Sequence, residues 1–184
     1  MKHLMLLATL LVLPSLAHSQ AVPFEQGPVL SLTGSASYVY GEGEAGHNHS
    51  LWGWSLTPEM NITRRFGMQA DVANLYENSI SPTQRRLILT AGPRYNFPPV
   101  YRTRPFIYAE AGEMKLSFQG SAYTDWDPVA RTGIGFEYHL LRDVSLTIVP
   151  AEYMAHNLDR GGWSNDFSAH AGFTVNFYTK AHEK

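Results

Sequence analysis

The stretch Phe167–Phe177, FSAHAGFTVNF, decides the fold. Its odd positions hold Phe167, Ala169, Ala171, Phe173, Val175 and Phe177, and its even positions hold Ser168, His170, Gly172, Thr174 and Asn176. A helix would gather apolar residues every three or four positions, whereas alternation is the signature of a strand with two differently solvated faces. The run also matches the ~9–11 residues with which a tilted strand crosses a membrane.

The pattern recurs upstream. Leu30, Leu32, Ala36, Tyr38 and Tyr40 oppose Ser31, Thr33, Ser35 and Ser37; Trp52, Trp54, Leu56, Met60 and Ile62 oppose Gly53, Ser55, Thr57, Glu59 and Asn61. A third segment begins at Gly67, with Met68, Ala70 and Val72 against Gln69 and Asp71. A fourth sets Leu87, Leu89, Ala91 and Tyr95 against Thr90, Gly92, Arg94 and Asn96. In a fifth, Ile107, Ala109 and Ala111 oppose Tyr108, Glu110 and Gly112. A sixth sets Ala130, Ile134, Phe136 and Tyr138 against Arg131, Gly133, Gly135, Glu137 and His139. The seventh, VSLTIVPAEY from Val144, is apolar on both sides, so alternation leaves its register open. Eight strands result.

The links between them alternate in length. Polar stretches follow the odd strands: GEGEAGHNHS, NSISPTQ, SFQGSAYTDWDP and AHNLDRGGWSND. Short links follow the second and sixth strands, around Thr63–Phe66 and Leu141–Asp143, while FPPVYRTRP after the fourth is longer. Long loops on one side and short turns on the other are the habit of outer-membrane barrels, with the long side outside.

Charged residues make up 16% of the chain and aromatics 12%, against roughly 25% charged in soluble domains. A soluble β protein needs a charged surface. Here the bulky side chains fall on the apolar face, and the other face is mostly Gly, Ser, Thr and Asn. Those small residues suit the crowded centre of a narrow barrel, and the apolar set suits lipid. The composition therefore favours an all-β, eight-stranded antiparallel transmembrane β-barrel with up-and-down connections over a soluble lipocalin-type barrel.

The N-terminus agrees with export. Lys2 and His3 precede an apolar run from Leu4 to Leu13, and Ala17 and Ser19 occupy the small positions before a cleavage site at Gln20; a second reading cuts before Val22. The run is too short for a spanning helix, which needs ~20 residues. The expected organisation is a signal peptide at 1–19, a lead at 20–29, the barrel at 30–178 and a polar tail at 179–184. The absence of cysteine excludes a disulfide framework and thiolate metal sites. A net charge of -2 argues against general affinity for nucleic acid or an anionic surface.

By parity, Glu59, Asp71, Arg94, Glu110, Arg131 and Glu137 face inward. An eight-stranded barrel is filled by its own side chains, and buried charges must be paired. The expectation is a salt-bridged plug rather than an ion path. Centring the turn between the second and third strands near Arg64 and Arg65 sets Glu59 almost opposite Asp71. Arg94 would then bridge the two and, with Glu110, close the lumen near the short turns.

LTAGPRYNF (Leu89–Phe97), PFIYAEAG (Pro105–Gly112), GIGFEYHL (Gly133–Leu140), PAEYM (Pro150–Met154) and NDFSAHAGFTVNF (Asn165–Phe177) resemble, in order and spacing, the blocks of the outer-membrane β-barrel domain family. That family includes small OmpA/OmpX-like porin-fold proteins. The resemblance implies an eight-stranded barrel in a Gram-negative-type outer membrane and usually no assigned chemistry. It also adds Glu152 to the inward set, and Arg131 would meet Glu137 or Glu152. One departure is the tail TKAHEK after the terminal aromatics.

Other chemistries are weaker. His47 and His49 form an H-x-H near Glu42 and Glu44, but a Gly-rich loop rarely preorganises a metal site. His170 reads as a hydrogen-bonded lumen residue. Some small barrels of this shape are lipid A-modifying enzymes, whose deacylases carry an H-x-S motif on a late strand. Here His156 is followed by Asn157 and Leu158, and nothing in the sequence fixes Asp159 or Ser164 relative to it. The expectation is a non-enzymatic monomer without metal or cofactor, having a structural or surface-interaction role through its loops. Its expected partners are outer-membrane lipid, lipopolysaccharide and the barrel assembly machinery. A lipid A-modifying enzyme and a small-solute pore are the alternatives.

Overall fold

The computed structural model describes residues 30–42, 48–77, 84–118, 126–158 and 162–178. The segments 1–29 and 179–184 lie outside the described residues, as do His47, Glu44 and Asp159.

The elements are β1 (Leu30–Glu42), β2 (Asn48–Asn61), β3 (Phe66–Glu77), β4 (Gln84–Asn96), β5 (Thr103–Phe118), β6 (Trp126–His139), β7 (Val144–Leu158) and β8 (Gly162–Phe177). Each pairs antiparallel with the next, and β8 returns to β1 from Leu30↔Phe177 to Gly41↔Asp166, closing the barrel. The alternation that builds each strand also sorts its side chains. On β1, Ser31, Thr33, Ser35 and Ser37 are buried, while Leu30, Leu32 and Tyr40 are exposed.

The outer surface is apolar all round. Trp52 is 66% exposed, Phe66 56%, Phe167 61% and Phe173 59%, whereas a soluble monomer rarely shows contiguous apolar patches beyond a few hundred Å². The buried set includes Glu59, Asp71, Arg86, Arg94, Arg104, Glu110, Arg131, Glu137, Glu152 and Asp166. This is a membrane protein turned toward lipid.

The strands outrun the sequence reading. β7 and β8 stay paired up to Leu158↔Gly162, so most of AHNLDRGGWSND is ladder rather than loop. β5 and β6 likewise absorb both ends of SFQGSAYTDWDP, pairing to Lys115↔Trp126. Thirteen to sixteen residues per strand, with twelve in β3, exceed what the bilayer requires, and the surplus projects on the side of the 43–47, 78–83, 119–125 and 159–161 links. At the other end, the 97–102 link folds back on itself through a Val100↔Thr103 bridge, with Tyr101 at φ 56°.

A register shift on each side of β7, between Val149 and Glu152 and opposite Ile134 and Phe136, marks one extra residue near Pro150 and Ala151. Proline has no N–H for the ladder and suits a bulge. The bulge switches the inward parity of β7 from Ser145, Thr147 and Val149 to Glu152, Met154 and His156. The strong coiling of so narrow a barrel needs inward glycines: a Cβ on Gly92 would fall 1.9 Å from the Ala109 carbonyl oxygen of β5.

A sheet closed on itself has no edge from which to unravel. Unboiled protein in detergent should therefore migrate differently from boiled protein on electrophoresis. Identical mobility would contradict closure.

Candidate functional site

The polar chemistry of the described residues is concentrated in the lumen, arranged in levels from the 62–65, 97–102 and 140–143 turns toward the opposite end. At the turn end, Glu137 on β6 receives two arginines. Arg94 of β4 reaches it through Nη2, and Arg104 of β5 donates from Nη2 at 2.7 Å and Nε at 3.2 Å. Arg94 Nη1 also lies 2.8 Å from Glu59 Oε2 of β2, and its Nε donates to Asn96 Oδ1 at 3.0 Å. Its guanidinium stacks 3.6 Å from the Phe106 ring centroid. The Arg94 cation is thereby fixed on several sides at once.

The middle level centres on Arg131 of β6. Its Nη1 lies 2.6 Å from Asp71 Oδ2 and 3.6 Å from Glu110 Oε2; Nη2 and Nε hold Glu152 at 2.8 and 3.1 Å. Neutral donors complete the carboxylates. Gln69 and Thr90 donate to Glu110, Thr57 to Asp71, and Ser168 and Tyr108 to Glu152. One planar fork thus serves three acids.

Above it lies an apolar layer that includes Val39, Leu51, Leu75, Ile88, Met114 and Met154. Over that layer, Arg86 of β4 crosses the lumen to Asp166 of β8, with Nη1 2.7 Å from Oδ2, and His156 Nε2 lies 3.1 Å from the same oxygen. In the closed order β4 and β8 stand on opposite walls, so this pair is a crossbar. Gly41 leaves room for it: a Cβ there would fall 1.6 Å from Asp166 Oδ1.

Glu59, Asp71, Arg94, Glu110, Arg131, Glu137 and Glu152 all face the lumen, but their expected partnering needs correction. Glu59 faces Gln69 across the β2–β3 ladder, not Asp71. Arg94 joins Glu59 to Glu137, while Asp71 and Glu110 belong with Arg131. The pairs Glu59↔Gln69 and Asn61↔Gly67 centre the turn on Arg64, so the partner of Glu59 is the inward residue two positions before Asp71, which preserves each face and changes each depth. Sequence reasoning also passed over Arg104, Arg86 and Asp166. Arg86 shares parity with Arg94 at the start of the fourth strand, and Asp166 shares parity with Ser168 one step before the last one, so parity alone points both inward. Arg104 falls within FPPVYRTRP, whose prolines and length read as a link.

His170 and Gln69 line a cavity of about 20 Å³ beside Arg131, and a second, of about 10 Å³, adjoins Ser37 and Met154. Such volumes leave room for about one water each at most. Ser164 stands opposite His156 on the ladder, while the His156 contact goes to Asp166. The described residues contain no group of three His, Asp or Glu disposed to hold a metal, and the side chains of Glu42 and His49 are outside what is described.

The profile of the outer membrane protein β-barrel domain matches residues 5–177. The chain belongs to that family. Family membership sets the barrel in an outer membrane, as its apolar belt requires. The fold resembles Neisserial surface protein A, at a TM-score of 0.72 and 13% identity over 83% of this chain and 100% of that one. It also resembles the outer membrane protein OprG of Pseudomonas aeruginosa, with a TM-score of 0.56 and 10% identity over 84% and 98% of the two chains. Ail, the attachment invasion locus protein of Yersinia pestis, gives 0.53 and 14% over 82% and 100%. At these identities the likeness is one of fold. Among curated protein sequences none matches this chain.

Proposed function

We propose that the protein is a closed, non-conducting outer-membrane barrel, exported through a signal peptide at 1–19, that serves as a rigid support for the links it presents at the cell surface. The observation that carries this reading is the filled lumen. Two arginine-centred levels, an apolar layer and the Arg86–Asp166 crossbar succeed one another along the axis, and the cavities beside Arg131 leave room for about one water each at most. A solute would have to break several buried ion pairs to pass. A non-enzymatic role is supported by His156, which is fully buried on the inward side with Ser164 opposite it, away from the acyl chains a lipid hydrolase must reach.

Planar-bilayer recording of the purified barrel tests the reading. No steady conductance is expected in the wild type. A stable open channel would replace it with the pore alternative.

A further inference from the structure

Among the residues whose side chains are described, the charged ones on the outward face of the strands are Arg85 of β4 with Glu113 and Lys115 of β5. Arg85 and Lys115 stand together: Arg85 pairs with Ser117 and Leu87 with Lys115, which makes the two cations diagonal neighbours, roughly 7–8 Å apart between Cα atoms. Each is held against an aromatic ring of the adjoining strand. The Arg85 guanidinium lies 5.5 Å from the Tyr76 ring centroid, and Lys115 Nζ lies 5.9 Å from that of Trp126. Arg85 Nε donates to Asn74 Oδ1 at 2.9 Å; among the described residues its Nη groups and Lys115 Nζ have no acceptor.

Their depth is defined by their neighbours. On the membrane side the outward positions are Leu87 and Leu89 of β4 and, beyond Glu113, Ala111 and Ala109 of β5, and Tyr76 and Trp126 are exposed girdle aromatics. The two cations therefore sit at the interface on the side of the projecting strand ends. Two like charges fixed side by side repel one another, and a multivalent anion relieves that. Glu113, one step deeper on the same face, is an acceptor suited to a hydroxyl or amide N–H.

We infer that this four-strand row, Tyr76, Arg85, Lys115 and Trp126 with Glu113 beneath, is a docking site for a phosphorylated acyl-glucosamine lipid of the outer leaflet. Arg85 and Lys115 hold the phosphate, and Glu113 meets the N–H or O–H donors of the sugar, which a diacylglycerol phospholipid does not present in that arrangement. The inference rests on the proposed orientation, which places this end of the barrel in the outer leaflet.

Native mass spectrometry of the purified barrel, titrated with diphosphoryl lipid A, its dephosphorylated form and phosphatidylglycerol, tests the site. The variant Arg85→Gln with Lys115→Gln should bind diphosphoryl lipid A about thirty-fold more weakly than the wild type, taking the attraction of two interfacial cations, while the Arg85→Lys, Lys115→Arg exchange keeps it within about threefold. Heat-modifiable mobility checks that each variant is folded. Equal binding by the double-Gln variant, or wild-type binding of the dephosphorylated lipid or phosphatidylglycerol as tight as that of diphosphoryl lipid A, would overturn the site. A tag in the 119–125 link, scored for accessibility on intact cells, reports the orientation separately, so a misplaced barrel end is distinguished from a site that binds nothing.

Discussion

Arg131→Ala should lower the stability of the folded barrel by about 3–5 kcal/mol, the usual range for removing one partner of a buried ion pair, and toward the upper end of it. The reason is multiplicity. Arg131 lies within 2.6 Å of Asp71, 2.8 Å of Glu152 and 3.6 Å of Glu110, and its loss leaves three carboxylates in a lumen that admits little water. Their neutral donors, Gln69, Thr57, Thr90, Ser168 and Tyr108, remain but carry no compensating charge. Arg131→Lys should recover only part of the loss, since a point charge cannot reproduce a planar fork that serves three acids at once. Urea unfolding in detergent, followed by tryptophan fluorescence, provides the measurement. A double-mutant cycle should find strong coupling between Arg131 and Asp71 and almost none between Arg94 and Asp71. A loss below about 1 kcal/mol for Arg131→Ala would mean the middle level does not support the barrel.

That contrast between Arg131 and Arg94 also marks where the sequence stops being readable. Side-chain period along a strand is two, so parity alone sends Glu59, Asp71, Arg94, Glu110, Arg131 and Glu137 inward, and a two-residue error in a turn changes none of those directions. It does change depth. Glu59 opposite Gln69, rather than Asp71, slides β2 along β3 by two residues, and depth decides which arginine an acid meets. Strand tilt and lumen width add a further step: Arg94 on β4 reaches Glu59 on β2 and Glu137 on β6, and Arg86 on β4 reaches Asp166 on β8. Such cross-lumen pairs leave no spacing in the chain.

β7 shows the converse. Its sequence is apolar on both sides because an extra residue near Pro150 switches which parity points inward, so the missing alternation was itself the trace of the bulge. Strand ends were hidden for another reason. Polar residues such as Asn157, Ser164 and Asn165 read as loop, yet they continue the ladder beyond the bilayer, where the outward face meets water instead of lipid and the apolar–polar alternation no longer applies.

Glu137→Ala should cost about 3–4 kcal/mol, second to Arg131→Ala, because it strips a buried carboxylate from two guanidiniums together. The two are not equally harmed. Arg94 keeps Glu59 at 2.8 Å, Asn96 and the Phe106 ring, whereas the ion pair that holds Arg104 is the one with Glu137, and Arg104 is only 4% exposed. The damage should therefore lie mostly in Arg104, left with no direct ion pair among the described residues and only the longer-range attraction of Glu59. From this follows a reversal of sign between backgrounds. Arg104→Met should destabilise the wild type, where it removes a partner of Glu137, and should restore part of the stability of Glu137→Ala, where it removes an unpaired buried charge and supplies apolar volume. Arg94→Met should give no such recovery, because it takes the partner from Glu59. Glu137→Gln should fall between wild type and Glu137→Ala, since the amide oxygen still accepts from an arginine without carrying charge. Urea midpoints for these variants, measured under the conditions used for Arg131→Ala, decide the matter: if Arg104→Met lowers stability in both backgrounds, the turn-end level is held by packing around Phe106 rather than by the Glu137 ion pairs.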